Sequence, residues 1–314
     1  MKILVTGANG LIGSALSSAL EEAKHQVIRA VRTSNSPWEV SVGDLSKNPN
    51  WDDALNSDVD VVVHLAAQVS CTERSTEARP DLCANVNTVS TANLAWKCAK
   101  HGVKRFIFLS TVKVLGEGKN TPYQDHDPAM PVDSYAISKW EAEQLLWQIA
   151  AETGMEVVVL RPPLVYGPKV KGNFLRLIQA IDKHRPLPCS SIKNQRSLIY
   201  LDNLVDVICL CLTHPAAAGR SLLVSDGDDV STSELIHRIA NALGKKPFVI
   251  TIPITWMRCA GVFLAKQSVI NRLLGSLSVA PNILREQLHW TPPFTMKEGL
   301  ASTIQWYSKN KGLH

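Results

Sequence analysis

Apolar residues gather along the first 160 positions in short, nearly unbroken runs at 3–5, 27–31, 61–65, 106–109 and 157–160, most of them rich in valine and isoleucine. Such runs suit strands buried on both faces, the situation in a parallel sheet covered by helices on each side. Between the runs, residues 11–22, 87–100 and 135–152 carry apolar side chains at helical spacing and polar ones on the opposite face. The alternation predicts an α/β fold built on a doubly wound parallel sheet. After Arg161 the pattern changes: Pro162, Pro163 and Pro168 break the chain into short pieces, and residues 197–200 and 222–224 read as two further short strands before a more helical end. There is no internal repeat and no low-complexity segment.

Composition narrows the functional classes. With 314 residues, 45% of them hydrophobic, the chain can bury a large core. The formal charge of +5 is dispersed, with no basic block or basic helix face, which argues against nucleic acid as a partner. The apolar stretch at 256–265 is too short and too charged at its flanks to span a bilayer, so a packed helix is expected there and no membrane insertion. Seven cysteines, unclustered apart from Cys209 and Cys211, predict neither a disulfide framework nor a metal site; reduced thiols are expected. The sequence enters an apolar strand directly, without a basic leader, apolar region and cleavage site, and a cytoplasmic protein is expected.

Gly7, Gly10 and Gly13 fall where the first strand turns into the first helix. With no side chains there, the backbone around Asn9, Leu11 and Ile12 can approach a pyrophosphate at the helix N-terminus, as in a Rossmann dinucleotide site. The second strand ends Val31-Arg32-Thr33-Ser34, without the acid that would meet a ribose 2′-hydroxyl. Arg32 suits a 2′-phosphate, so NADP(H) is the preferred cofactor and NAD(H) the alternative. Asp44 and Leu45 are expected near the adenine, and Ala66, Ala67 and Gln68 along the adenosine and diphosphate; loop capping is the alternative role for each group.

Tyr135 and Lys139 are four apart on a predicted helix, so they share a face and the ammonium can favour the ionised phenol. About two dozen residues earlier a strand ends in Ser110-Thr111. A Thr111 hydroxyl bonded to the same substrate oxygen completes what reversible hydride transfer at a carbinol or carbonyl requires.

In chain order, TGANGLIG (6–13), HLAAQV (64–69), residues 87–94, LSTVKVLG (109–116), YAISK (135–139) and LRPPLVYGP (160–168) resemble the extended short-chain dehydrogenase/reductase family that acts on nucleotide sugars. The resemblance implies that Tyr135 is the general acid or base, that Lys139 lowers its pKa and holds the nicotinamide ribose, and that Thr111 is the hydrogen-bond partner. It implies an active-site role for Asn87, cofactor contacts from Ser110 and Pro162, and sugar-side contacts from Lys113, Asn173, Arg196 and Arg272. Asn203 is expected to order a turn. Residues 1–165, rejoined at 197–225, are expected to bind the dinucleotide, and a smaller portion, 166–196 and 226–314, the UDP-sugar. A homodimer through the helices at 87–100 and 135–152 is also implied.

Three reactions of that family compete. A dehydratase has an acid–base carboxylate pair after its threonine; here Val112 and Lys113 stand there, which disfavours dehydration. The absent strand-end acid favours a reductase, and segments 223–236, 272–277 and 288–293 resemble the reductases that form UDP-N-acetylquinovosamine, which implies reduction of the C4 keto group of a UDP-4-keto-6-deoxy-N-acetylhexosamine, serving surface-polysaccharide precursors. The alternative is a UDP-hexose or UDP-N-acetylhexosamine 4-epimerase with tightly bound NAD, although Leu164, Leu115 and Ser90 depart from the residues common in such epimerases. A dinucleotide sensor without catalysis is disfavoured because Tyr135 and Lys139 are both retained.

Overall fold

The computed structural model describes residues 1–47, 49–56, 58–69, 80–188, 192–253, 255–256, 259 and 274–311. Among them the strands are β1 (Lys2–Thr6), β2 (Gln26–Val31), β3 (Glu39–Ser41), β4 (Val61–His64), β5 (Arg105–Leu109), β6 (Tyr123–Gln124), β7 (Glu156–Arg161), β8 (Leu164–Tyr166), β9 (Leu198–Tyr200), β10 (Arg220–Leu223) and β11 (Val279–Ala280). Seven form one parallel sheet in the order β10-β7-β5-β4-β1-β2-β3. The helices are α1 (Leu11–Glu22), α2 (Asp52–Leu55), α3 (Pro80–Cys83), α4 (Ser90–Lys100), α5 (Ser134–Thr153), α6 (Gly172–Asp182), α7 (Leu201–Cys211), α8 (Thr232–Ala242), α9 (Asn282–Glu286) and α10 (Met296–Lys309).

The apolar runs are explained by two buried faces. Strand side chains alternate, so Ile3, Val5, Val63, Ile107 and Val158 pack against Leu16 and Leu20 of α1 and Leu204 and Ile208 of α7. Leu4, Val62, Phe106, Phe108 and Val159 point the other way, onto Leu94 of α4 and Leu146 and Ile149 of α5. Truncating one such leucine to alanine costs about 2–5 kcal/mol. Helix α5 starts where Asp133 accepts a hydrogen bond from the Ala136 amide at 2.8 Å, and it stops at Gly154, whose φ of 74° supplies the left-handed residue of the C-terminal cap.

Of the two late strands expected, residues 222–224 enter the main sheet as β10 beside β7. Residues 197–200 do not: β9 pairs with β8 in a separate two-stranded unit. There Leu198 and Tyr200 join Tyr166, Phe174, Ile236 and Leu300 in a third cluster made with the C-terminal helices. Buried Asp226 ties this cluster together, accepting from the Tyr200 amide at 3.0 Å, Tyr166 Oη at 3.0 Å and Asn203 Nδ2 at 2.7 Å. Asn203 also exchanges two hydrogen bonds with the Phe294 backbone, fastening α7 to the approach to α10.

Two strands of two residues, β6 and β11, also pair in parallel. Asp125 secures them by accepting from the Leu223 amide at 2.9 Å and the Ile283 amide at 3.1 Å. A side chain on Gly118 would overlap the Ser276 carbonyl, so the C-terminal segment lies directly on the loop that follows Thr111.

The expected helix at 87–100 is two structures, a π-helix over Ala84–Val89 continued by α4. The expectation of uniformly reduced thiols is corrected at Cys83, which is disulfide-bonded, whereas Cys98, Cys209, Cys211 and Cys259 are free. Pairing is a matter of spatial approach, so unclustered spacing along the chain carried no sign of it. Apart from 256 and 259, most of the helix expected at 256–265 lies outside the described residues, as does Arg272. Among the described residues no helix is long and apolar enough to cross a membrane, and no group of three His, Cys, Asp or Glu side chains could hold a metal.

Candidate active site at the switch point of the sheet

Strand order reverses between β1 and β4, and the crevice at their carboxyl ends is where an open α/β sheet takes a ligand. Gly7 has φ of 65°, and a Cβ on it would come 2.9 Å from the Ala66 nitrogen. A Cβ on Gly13 would overlap the Gly7 carbonyl, so only glycine lets α1 sit this close to the loop. Gly10 begins α1 without any side-chain cap, leaving the amides of Leu11, Ile12 and Gly13 at a bare helix N-terminus. A dinucleotide pyrophosphate fits that cradle.

The opposite wall is locked by buried polar contacts. Thr6 Oγ1 accepts from the amides of Leu65 at 3.1 Å and Ala66 at 3.2 Å and lies 2.7 Å from His64 Nδ1. His64 Nε2 lies 2.9 Å from Thr91 Oγ1, and burial pushes the imidazole pKa down to about 3, so the ring is neutral. Asn87, fully buried in the π-helix, accepts from the Gln68 amide at 2.8 Å and donates to the Gln68 carbonyl and to Ser138 Oγ, each at 3.0 Å. It thereby joins the segment carrying Ala66, Ala67 and Gln68 to the helix carrying Tyr135 and Lys139.

At the adenosine end Arg32 is exposed just beyond β2, and its carbonyl accepts from the Gly43 amide at 3.2 Å. Asp44 caps its own loop, accepting from the Ser46 amide and hydroxyl, which with the nearby Arg32 charge holds its carboxyl below the usual range. Leu45 packs partly against the α4–α5 side of the core. Sequence reasoning missed Glu39. Its carboxylate is held low first by the Asn35 amide and then by the side chain of Asn9, a residue of the glycine loop.

The acid–base candidates meet at the carboxyl end of β5. Ser110 and Thr111 extend that strand: the Ser110 amide donates to Leu160 O at 2.8 Å and the Val112 amide to Pro162 O at 3.0 Å. Buried Thr111 then caps a 3₁₀ turn over Val112–Leu115, accepting from the Lys113 amide at 3.3 Å. Tyr135 and Lys139 lie in the first two turns of α5, and the Lys139 ammonium lies 4.1 Å from the centre of the Phe108 ring of β5. The protein's own groups act on the phenol against the expected direction: desolvation, then the Asp133 carboxylate, push Tyr135 up to about 12. Desolvation pulls Lys139 down to about 7, opposed by Glu143. Burial disfavours both charged forms, so further positive charge is needed to stabilise phenolate. A bound oxidised nicotinamide provides that charge.

On the sugar side Lys113 is ion-paired, with Asp133 at 2.5 Å and Glu117 at 2.9 Å. Arg196 is half-buried and donates to the Gly275 carbonyl at 3.3 Å; desolvation lowers its pKa and Glu117 opposes that. Asn173 is exposed at the start of α6. Of the positions that depart from common epimerase residues, Leu115 is buried, Leu164 is exposed, and Ser90 is buried. Glu143 and Arg161, an ion pair buried behind Lys139, were also missed; the signal for Glu143 was there, since Tyr135, Lys139 and Glu143 recur at steps of four.

Comparison with known proteins agrees with this fold. The family model described as the NAD dependent epimerase/dehydratase family matches residues 3–224. A UDP-glucose 4-epimerase of Vibrio cholerae is 40% identical over 311 residues, covering 96% of this chain and 94% of that protein. The solved structure of MoeE5 in complex with UDP-glucuronic acid and NAD superposes with a TM-score of 0.80 at 25% identity, over 99% of this chain and 100% of that one. UDP-glucuronic acid 4-epimerase from Bacillus cereus, in complex with NAD, has a TM-score of 0.81 at 20% identity, over 99% and 98% of the two chains, and bears on the fold alone. The chain is an enzyme of the NAD dependent epimerase/dehydratase family.

Proposed function

We propose that this enzyme is a 4-epimerase of a UDP-linked hexose or N-acetylhexosamine, working with a retained NAD. The observation that carries the proposal is that Lys139, one helical turn after Tyr135 on α5, rests over Phe108 of β5, the strand that runs on into Ser110 and Thr111, beside the switch point that holds the glycine cradle. The similarity over nearly the whole chain to a UDP-glucose 4-epimerase supports it. When bound, the dinucleotide supplies a hydride acceptor at the nicotinamide and, once reduced, a hydride donor. Tyr135 removes the proton of the sugar 4-hydroxyl as hydride leaves C4, and returns it when hydride comes back to the other face. Thr111 holds O4 in both half-reactions. Arg196 anchors the diphosphate while the keto sugar turns, with Asn173 at the rim and Lys113 at the sugar side once its acidic partners yield.

In this reading residues 1–165 and 197–225 carry the nucleotide, 166–196 and 226–314 the sugar, and two chains pair through the π-helix, α4 and α5, where Val89, Trp96 and Ile137 respectively are exposed. A second reading, reduction of a UDP-4-keto-6-deoxy-N-acetylhexosamine by NADPH, rests on exposed Arg32 at the end of β2. Glu39 beside Asn9 weighs against it, because a carboxylate there repels a 2′-phosphate.

The test is to denature the purified protein, identify the nucleotide released, and assay interconversion of UDP-glucose with UDP-galactose and of the N-acetylated pair without added reductant. Interconversion with NAD released supports the epimerase. No interconversion, with NADPH consumed stoichiometrically by the 4-keto sugar, replaces it with the reductase.

A further inference from the structure

Two charged groups sit behind the acid–base pair, and the chemistry above uses neither. Glu143, one turn beyond Lys139 on α5, is fully buried, and Arg161 at the end of β7 is nearly so. Arg161 donates to Glu143 from Nη2 at 2.5 Å and from Nε at 3.2 Å, and Ser110 Oγ donates to the same carboxylate. Lys139 and Glu143 project from one side of the helix, and Phe108 and Ser110 from one side of β5 and its extension. The ammonium rests over Phe108 and the carboxylate on Ser110, so the two elements dock as matching rows. A buried ion pair adds little stability over apolar packing of the same volume, which leaves the charge itself to be accounted for.

We propose that Glu143 is a positioning residue of the reaction centre: its carboxylate keeps the Lys139 ammonium charged in a desolvated site and pins the strand end that carries Thr111. The proposal rests on the acid–base reading of Tyr135 and Lys139, not on the identity of the sugar. Among the described residues, the other groups around Lys139 do not supply the charge. His64 from β4 is neutral, Tyr135 from α5 is protonated, and Phe108 and Ser110 from β5 carry none. Arg161 from β7 faces Glu143, and Asp133 acts on Tyr135. Burial alone drives Lys139 toward neutrality and Glu143 is the group that opposes it.

The experiment follows the Cε resonance of Lys139 against pH in protein labelled with ¹³C-lysine, assigned by difference with Lys139→Met. In Glu143→Gln, which keeps the side-chain shape, the Lys139 midpoint falls by about one pH unit or more, and the alkaline limb of kcat/KM moves down with it. Glu143→Asp, which restores the charge, brings both back toward the original values. A midpoint that stays put in folded Glu143→Gln, or a rate lost equally at every pH, overturns the proposal. Should Glu143→Gln fail to fold because Arg161 is left unpaired, Glu143→Gln/Arg161→Met removes both charges; its midpoint falls by a smaller step, and one that does not fall overturns the proposal. The titration needs no sugar, so it fails independently of the assigned reaction, whereas full turnover by Tyr135→Phe would sink the acid–base reading on which it rests.

Discussion

Replacing Asn87 with alanine removes three hydrogen bonds at once, to the Gln68 amide, the Gln68 carbonyl and Ser138 Oγ. Each contributes about 0.5–1.5 kcal/mol net, so Asn87→Ala is expected to lose about 2–4 kcal/mol of stability. In urea, with a slope of about 3 kcal/mol per M, the midpoint falls by roughly 1 M. Asn87→Asp separates hydrogen bonding from side-chain volume. Its carboxylate still accepts from the Gln68 amide but meets the Gln68 carbonyl and Ser138 with no donor, so at pH 7 it is less stable than the alanine variant. Burial and the facing carbonyl raise the folded-state pKa of the new acid above its unfolded value. The penalty is therefore present above the folded pKa and relieved as pH falls through it, so Asn87→Asp regains stability on acidification relative to Asn87→Ala. An alanine midpoint within about 0.2 M of the parent, or an aspartate variant that tracks alanine at every pH, would refute the reasoning.

Tyr135→Phe keeps the ring and loses the proton carrier; it should retain the dinucleotide seen by fluorescence while turnover drops about 10²–10⁴-fold. Lys139 binds fewer protons folded than unfolded between about 7 and its ordinary value of 10.5, so its presence costs most at low pH and progressively less as pH rises through that window. Urea titrations of parent and Lys139→Met should show the parent gaining on the variant by up to about 1.4 kcal/mol per pH unit there; a constant difference would contradict the burial argument. Trp96→Glu sets a charge on the exposed face of α4 and should convert a dimer to monomers in light scattering, whereas an unchanged mass would remove α4 from the interface.

The sheet was legible because its central strands are buried on both faces, which forces unbroken apolar runs such as 61–65 and 157–160. The glycine spacing and the Tyr135–Lys139 step were legible for a related reason: each is a local geometric demand, a close backbone approach in one case and a shared helical face in the other. What depends on distant partners was not. The pairing of β9 with β8 instead of the main sheet, the π-helix that turns Asn87 onto Gln68, and the ion pairs of Lys113 with Asp133 and Glu117 are made by segments far apart in sequence. The direction of the Tyr135 shift was misjudged for the same cause, since the spacing reveals the neighbouring ammonium but not the depth of burial. Glu39 escaped notice because it reaches the glycine loop from β3, not from the end of β2.

The pairing of β6 with β11 sets an order on biosynthesis. The loop after Thr111 gains its outer strand and the Asp125 anchor to Ile283 from chain about 150 residues further on, at a synthesis rate of about 5–20 residues per second. A nascent chain that has finished the parallel sheet at Leu223 still lacks β11 and the Ile283 anchor for about 3–12 seconds. Premature termination before Val279 therefore leaves the segment after Thr111 without its partner strand β11 and without the Asp125 anchor to the Ile283 amide.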